Sequence, residues 1–167
     1  MNIVLIGYRG AGKSAVGRLV AKRLGMVCIG MDAEIVRRAG ISIPEIVASE
    51  GWSGFRDQES TLARELGGRD GLVIDSGGGI IERPENIEAF RQNGCIVWLR
   101  AEVPTIVARI CGDTERPSLT EGKSFTEEVA EVLERRTPLY RAAAHHSIDT
   151  DHLTPEQIAA IIVELCG

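Results

Sequence analysis

The chain has 167 residues, 44% of them hydrophobic and only 4% aromatic, with a net charge of −5. That length suits one domain with a core of Ile, Val, Leu and Ala. The acidic balance argues against a nucleic-acid-binding surface, and no apolar run is long enough to cross a membrane.

Ile3 to Ile6 reads as a first strand, and a helical stripe of Val16, Leu19, Val20 and Leu24 follows, closed by Gly25. Between them lies Gly7-Tyr8-Arg9-Gly10-Ala11-Gly12-Lys13-Ser14. This is the phosphate-binding P-loop pattern, set between strand and helix as its mechanism requires. Glycines let the backbone approach a ligand, and successive N–H groups converge on phosphate oxygens at a helix N-terminus. Gly10, Ala11, Gly12, Lys13, Ser14 and Ala15 are therefore expected to hold the phosphates of a nucleotide. Lys13 can reach the β- and γ-phosphates, and the Ser14 hydroxyl can ligate Mg²⁺.

Val27 to Ile29 is a short second strand, ending at Gly30-Met31-Asp32, and a helix runs from about Ala33 to Ala39. Asp32 at that strand end can activate an acceptor hydroxyl or hold Mg²⁺ through water; the plainer alternative is a helix N-cap. Ser42 and Glu45 form a capping box for a helix carrying Ile43, Ile46 and Val47. Gly51 to Gly54 is expected to break it, and Phe55 to Leu66 to resume it until Gly67 and Gly68. Arg56 offers a planar fork for a carboxylate, with Glu59 one turn on to hold it; alone, such a pair is usually a solvated one.

Leu72 to Ile74 is a strand buried on both faces, running into Asp75-Ser76-Gly77-Gly78-Gly79. Three glycines in succession suit close approach of a ligand to backbone N–H groups. Asp75 resembles the acidic end of a Walker B strand, a position that holds Mg²⁺ through water. A helix over Pro84 to Gln92, a strand over Cys95 to Leu99 and a helix from Pro104 to about Cys111 follow. Residues 112–124 lose all periodicity and read as a mobile lid loop flanked by Arg109 and carrying Arg116. In the next helix Arg136 shares the stripe of Val129, Val132 and Leu133, so it points inward and needs an anionic partner: a structural carboxylate or a substrate. His146 to Asp149 is a last strand, and Pro155 to Leu165 an amphipathic helix.

The alternation of strands and helices predicts an α/β fold with a parallel sheet and helices on both faces, its ligands at the carboxyl ends of the strands. The four cysteines show no local metal-ligand spacing. Cys28 and Cys95 read as buried thiols, and the chain as a cytoplasmic protein without a signal peptide. His145, His146 and His152 read as structural or exposed.

Together these motifs resemble the shikimate kinase family over nearly the whole chain. They are the P-loop, Asp32, Phe55-Arg56-x-x-Glu59, Gly77 to Gly79, Arg116-Pro117, and Arg136-Thr137-Pro138-Leu139-Tyr140. The resemblance implies a three-layer αβα P-loop fold of the nucleoside monophosphate kinase type, with sheet order 2-3-1-4-5. Residues 1–167 would form one kinase domain, with a substrate-binding segment at about 32–60 and a lid at about 112–124. ATP and shikimate would be the ligands, Mg²⁺ the cofactor, and the chain a monomer. Arg56, Arg136, Asp32 and Gly77, Gly78 and Gly79 would bind shikimate. Lys13, Asp32 and Arg116 would be catalytic. Arg109 and the Pro155 region would flank the adenine.

Three positions depart from the family pattern. The first Asp of the usual Asp-x-Asp is Gly30, a duty we expect Asp75 to take over; the lid reads Arg116-Pro117-Ser118-Leu119; and Trp52 stands where Glu is common. Competing readings are a P-loop kinase of another small acceptor, such as gluconate or a nucleoside monophosphate, and a nucleotide-binding protein with weak catalysis.

Overall fold

A computed structural model describes residues 1–110 and 124–167. The expected lid, with Arg116, lies outside the described residues apart from Ser124. The strands are β1 (Asn2–Ile6), β2 (Val27–Gly30), β3 (Leu72–Asp75), β4 (Gly94–Arg100) and β5 (His146–Asp149). The helices are α1 (Lys13–Leu24), α2 (Met31–Ala39), α3 (Ile43–Gly67), α4 (Pro84–Arg91), α5 (Val103–Ile110), α6 (Phe125–Ala143) and α7 (Pro155–Cys166). The five strands form one parallel sheet in the order β2-β3-β1-β4-β5.

Strand alternation divides the interior into two layers. Val4 and Ile6 of β1 face one way, packing with Ile74, Ile96 and Trp98 against Met31, Phe55, Leu62, Leu66 and Tyr140. Ile3 and Leu5 face the other way, with Val73, Val97, Leu99 and Ile148, against Val16 and Val20 of α1 and Ile158 and Ile162 of α7. Both faces of β1 are therefore buried, which is why its sequence is a continuous apolar run. A smaller cluster of Tyr8, Ile106, Ile110, Val129 and Val132 ties the P-loop to α5 and α6.

The expected break is present but narrower than Gly51 to Gly54: two helical segments of α3 meet at Gly51, whose φ of 73° and ψ of 176° are not helical, and helical backbone resumes at Trp52. The capping box of Ser42 and Glu45 is formed as expected. Asp32 is not a helix cap: α2 begins at Met31, its N-cap is Gly30, and Asp32 lies in the first turn. Among the described residues no helix is long and apolar enough to cross a membrane.

The cysteine expectation needs correcting. Cys28 is free, but Cys95 is joined to Cys166 in a disulfide, with Cα atoms 6.3 Å apart. The start of β4 and the end of α7 meet, a juxtaposition that no local spacing reveals.

Candidate active site

The carboxyl ends of β1, β2 and β3 lie side by side, because these strands are neighbours and parallel. Three connections therefore open at one edge: the P-loop after β1, the direct passage from Gly30 into the first turn of α2, which carries Asp32, and Ser76 to Gly79 after β3.

In the P-loop, Gly7, Gly10 and Gly12 have φ of 145°, 84° and 93°, a region unfavourable to any residue with a Cβ. Gly12 caps α1 in the left-handed conformation, so the helix opens directly on Lys13. Lys13 is buried, and its Nζ donates to the carbonyls of Gly7 (2.7 Å) and Tyr8 (3.0 Å), which folds the side chain back over the loop. Arg109 Nη1 donates to the Gly10 carbonyl (3.0 Å) and to Thr150 Oγ1 (3.5 Å). The loop leading to Pro155, the first residue of α7, is thus held beside the P-loop, where sequence reasoning put the adenine side.

The Ser14 hydroxyl donates to Asp75 Oδ2 at 2.5 Å. Asp75 is pushed up from the ordinary carboxylate range, chiefly by burial; Lys13 and the Ser14 hydrogen bond pull it down, and Asp32 adds to the rise. The sheet register sets Gly30 directly opposite Asp75. A Cβ at Gly30 would lie 3.8 Å from Asp75 Oδ2. The carboxylate missing from β2 therefore reappears one strand over, on the same face.

The glycine triplet is not a conformational device. None of Gly77, Gly78 and Gly79 has a positive φ. What they supply is room. A Cβ at Gly77 would sit 2.6 Å from Glu59 Oε2 and 3.0 Å from Asp32 Oδ1. One at Gly78 would sit 3.3 Å from the Arg9 amide nitrogen and 3.4 Å from Arg136 Nη1. One at Gly79 would overlap the guanidinium of Arg56 outright. The expectation of ligand approach is thus refined: the cleared space is filled first by the site's own side chains. Tyr140 Oη locks the triplet by donating to the Gly78 carbonyl at 2.5 Å, and burial pushes this phenol well up, keeping it protonated.

Arg56 Nη1 donates to Glu59 Oε1 at 3.0 Å. The Glu59 side chain is 0% exposed and that of Arg56 12%, so this is not a solvated surface pair. The guanidinium also lies 5.3 Å from the Trp52 ring centroid and 5.4 Å from that of Phe55. Trp52, at the position where the family often carries Glu, thus holds Arg56 by its π face.

Arg136 is 4% exposed. Its Nε faces Glu82 Oε1 at 3.3 Å, and Arg135 reaches the other Glu82 oxygen at 3.5 Å. The structural carboxylate left open as a partner is therefore Glu82, which sequence reasoning missed. It lies in a 3-10 turn over Ile80–Glu82, and only the tertiary fold brings that turn to α6. Trp52, Arg56, Glu82, Arg135 and Arg136 help line an open cleft of about 750 Å³.

A P-loop with its lysine, a carboxylate pair at adjacent strand ends and two arginines at a cleft define a P-loop kinase of a small anionic acceptor. A family model described as shikimate kinase matches residues 9–166. The chain is 43% identical over 153 residues to a shikimate kinase of Nitratidesulfovibrio vulgaris, covering 90% of this chain and 87% of that one. It is 41% identical over 167 residues to that of Rhodopirellula baltica, covering 98% and 89%. The structure superposes on a shikimate kinase from Acinetobacter baumannii in complex with shikimate at a TM-score of 0.93, with 38% identity over 98% of this chain and 91% of that one. The chain belongs to the shikimate kinase family.

Proposed function

We propose that this chain transfers the γ-phosphoryl group of ATP to the 3-hydroxyl of shikimate, giving ADP and shikimate 3-phosphate. The observation that carries this reading is the convergence on the glycine triplet. Asp32 lies against Gly77, Arg136 against Gly78 and Arg56 against Gly79, at the sheet edge that also carries Lys13.

Arg56 and Arg136 bind the acceptor's carboxylate. Each is pre-set by a glutamate, Glu59 or Glu82, so little rotamer entropy is lost on binding. Gly77, Gly78 and Gly79 let the ring come close to the backbone. Asp32 orients the 3-hydroxyl and takes its proton as the oxygen attacks phosphorus, while the bond to the bridging oxygen of ADP breaks. Lys13, once phosphate replaces the carbonyls it now contacts, balances charge on the transferring group. Arg116, outside the described residues, is assigned the same task by the family pattern. Gly10, Ala11, Gly12, Ser14 and Ala15 cradle the phosphates, and Arg109 and Pro155 border the base.

Mg²⁺ suits the oxygen donors at this edge. Ser14 and Asp75 would hold it, the carboxylate through water, with Asp75 in place of the residue missing at Gly30. Such an ion neutralises charge on the β- and γ-phosphates. We further assign residues 1–167 to one catalytic unit, with acceptor contacts from 32–60 and a lid at 112–124, acting as a monomer in the cytoplasm.

Coupled measurement of ADP release with shikimate, gluconate and AMP as acceptors tests this reading. Turnover with shikimate alone is expected. Turnover with gluconate or AMP but not shikimate would overturn it.

A further inference from the structure

Opposite the P-loop end of the sheet, three residues from three elements meet. Cys95 is the second residue of β4, His146 the first of β5 and Cys166 the last of α7. The register explains why. Val97 lies opposite His146 in the parallel pair of β4 and β5, so the two side chains leave the same face. Cys95, two residues before Val97, shares that face. It is the face covered by α7, where Val97 and Ile148 pack with Ile158, Ile162 and Cys166. The two sulfurs and an imidazole nitrogen all lie within 4.8 Å of one another. Among the described residues the His146 imidazole makes no hydrogen bond.

The disulfide between Cys95 and Cys166 accounts for two of these groups. A metal ion accounts for all three. We propose that, in the dithiol form, Cys95, Cys166 and His146 hold a thiophilic divalent cation of the zinc class, with water as fourth ligand. Two thiolates and one imidazole are a soft donor set that favours Zn²⁺ over Mg²⁺ or Ca²⁺. Tetrahedral zinc bonds place sulfur and nitrogen ligands about 3.5–3.8 Å apart, within the observed spread. Two thiolates also neutralise the ion, which suits a site that is mostly shielded from water.

The two states exclude each other. A dithiol reductant gives the disulfide two electrons and two protons and is itself oxidised to a disulfide; zinc then displaces the two thiol protons. Either state ties α7 to β4, and the metal adds the edge strand β5. Since α7 packs against α1, the helix that opens at Lys13, the clasp braces the P-loop helix from behind without touching it.

The test is Co²⁺ titration of the full chain after reduction and removal of the reductant, followed by displacement with Zn²⁺. The wild type and Cys28→Ser should bind one Co²⁺ per chain, with thiolate-to-cobalt charge-transfer absorption and intense tetrahedral bands. Cys95→Ser and Cys166→Ser should each lose at least half of the charge-transfer absorption. His146→Ala should weaken zinc binding by at least the roughly 10–100-fold that loss of an outer-shell partner costs. Zn²⁺ should raise the Tm of the reduced wild type but not that of His146→Ala, a readout that holds even if a cysteine variant folds poorly. The proposal is overturned by a reduced wild type that takes up no Co²⁺, by a charge-transfer band of undiminished intensity in Cys166→Ser, by undiminished zinc affinity in His146→Ala, or by equal binding to the disulfide form.

Discussion

The two walls of the site are both rich in glycine, for different physical reasons. On the P-loop side, where we propose that the nucleotide binds, Gly7, Gly10 and Gly12 adopt positive φ, and the backbone of this nucleotide wall is shaped by that conformation. On the acceptor wall Gly77, Gly78 and Gly79 have ordinary backbone angles and leave space for Asp32, Glu59, Arg136 and Arg56. One wall is a conformation; the other is a clearance. A conformation is encoded locally. A clearance is encoded by residues far apart in the chain.

Substitutions on the two walls should therefore act differently. The largest effect is expected on the nucleotide wall: Lys13→Ala should lower kcat by about 10²–10³-fold, as loss of one preorganised donor to developing charge does. A rate within a few-fold of wild type would remove Lys13 from the transferring phosphoryl. On the acceptor wall, Arg136→Ala forfeits a charge-assisted bond worth roughly 1.5–3 kcal/mol, and KM for shikimate should rise roughly 10- to 150-fold with KM for ATP unchanged. An equal rise for both substrates would mean collapse of the wall rather than loss of a contact.

The seam between the walls is Asp75. Asp75→Asn should raise the Mg²⁺ concentration for half-maximal rate by about tenfold, the lower bound for disturbing a metal's outer shell. Because the register pairs Gly30 with Asp75, adding Gly30→Asp to that variant should restore Mg²⁺ dependence. Failure of the double variant to recover would show that the two positions are not interchangeable. The smallest effect on the kinetics is expected at Glu82. Glu82→Gln leaves the buried Arg136 guanidinium without its anionic partner and should cost about 1–3 kcal/mol of stability in urea unfolding, with KM for shikimate little changed. A large rise in KM for shikimate would instead make Glu82 a positioning residue.

The sheet was legible in the sequence because each strand is a short apolar run bounded by glycine or a polar turn. The P-loop was legible because all its parts are contiguous. Arg56 with Glu59, and Arg136 on its apolar stripe, were legible from helical spacing. Glu82 was not, since nothing in its turn marks it as the partner of a residue on α6. The purpose of the glycine triplet was read as ligand approach, because only packed side chains show what occupies the space. The pairing of Gly30 with Asp75 is a register fact, and the meeting of Cys95, His146 and Cys166 a topological one. Both are invisible to any window along the chain.

Gly79 is glycine to make room for Arg56, not to set the backbone. Steady-state kinetics of Gly79→Ala with both substrates tests it most directly. A Cβ there overlaps the Arg56 guanidinium, so KM for shikimate should rise markedly while KM for ATP stays at the wild-type value. An unchanged KM for shikimate, or a matching rise for ATP, would mean that Gly79 does not serve as clearance for Arg56.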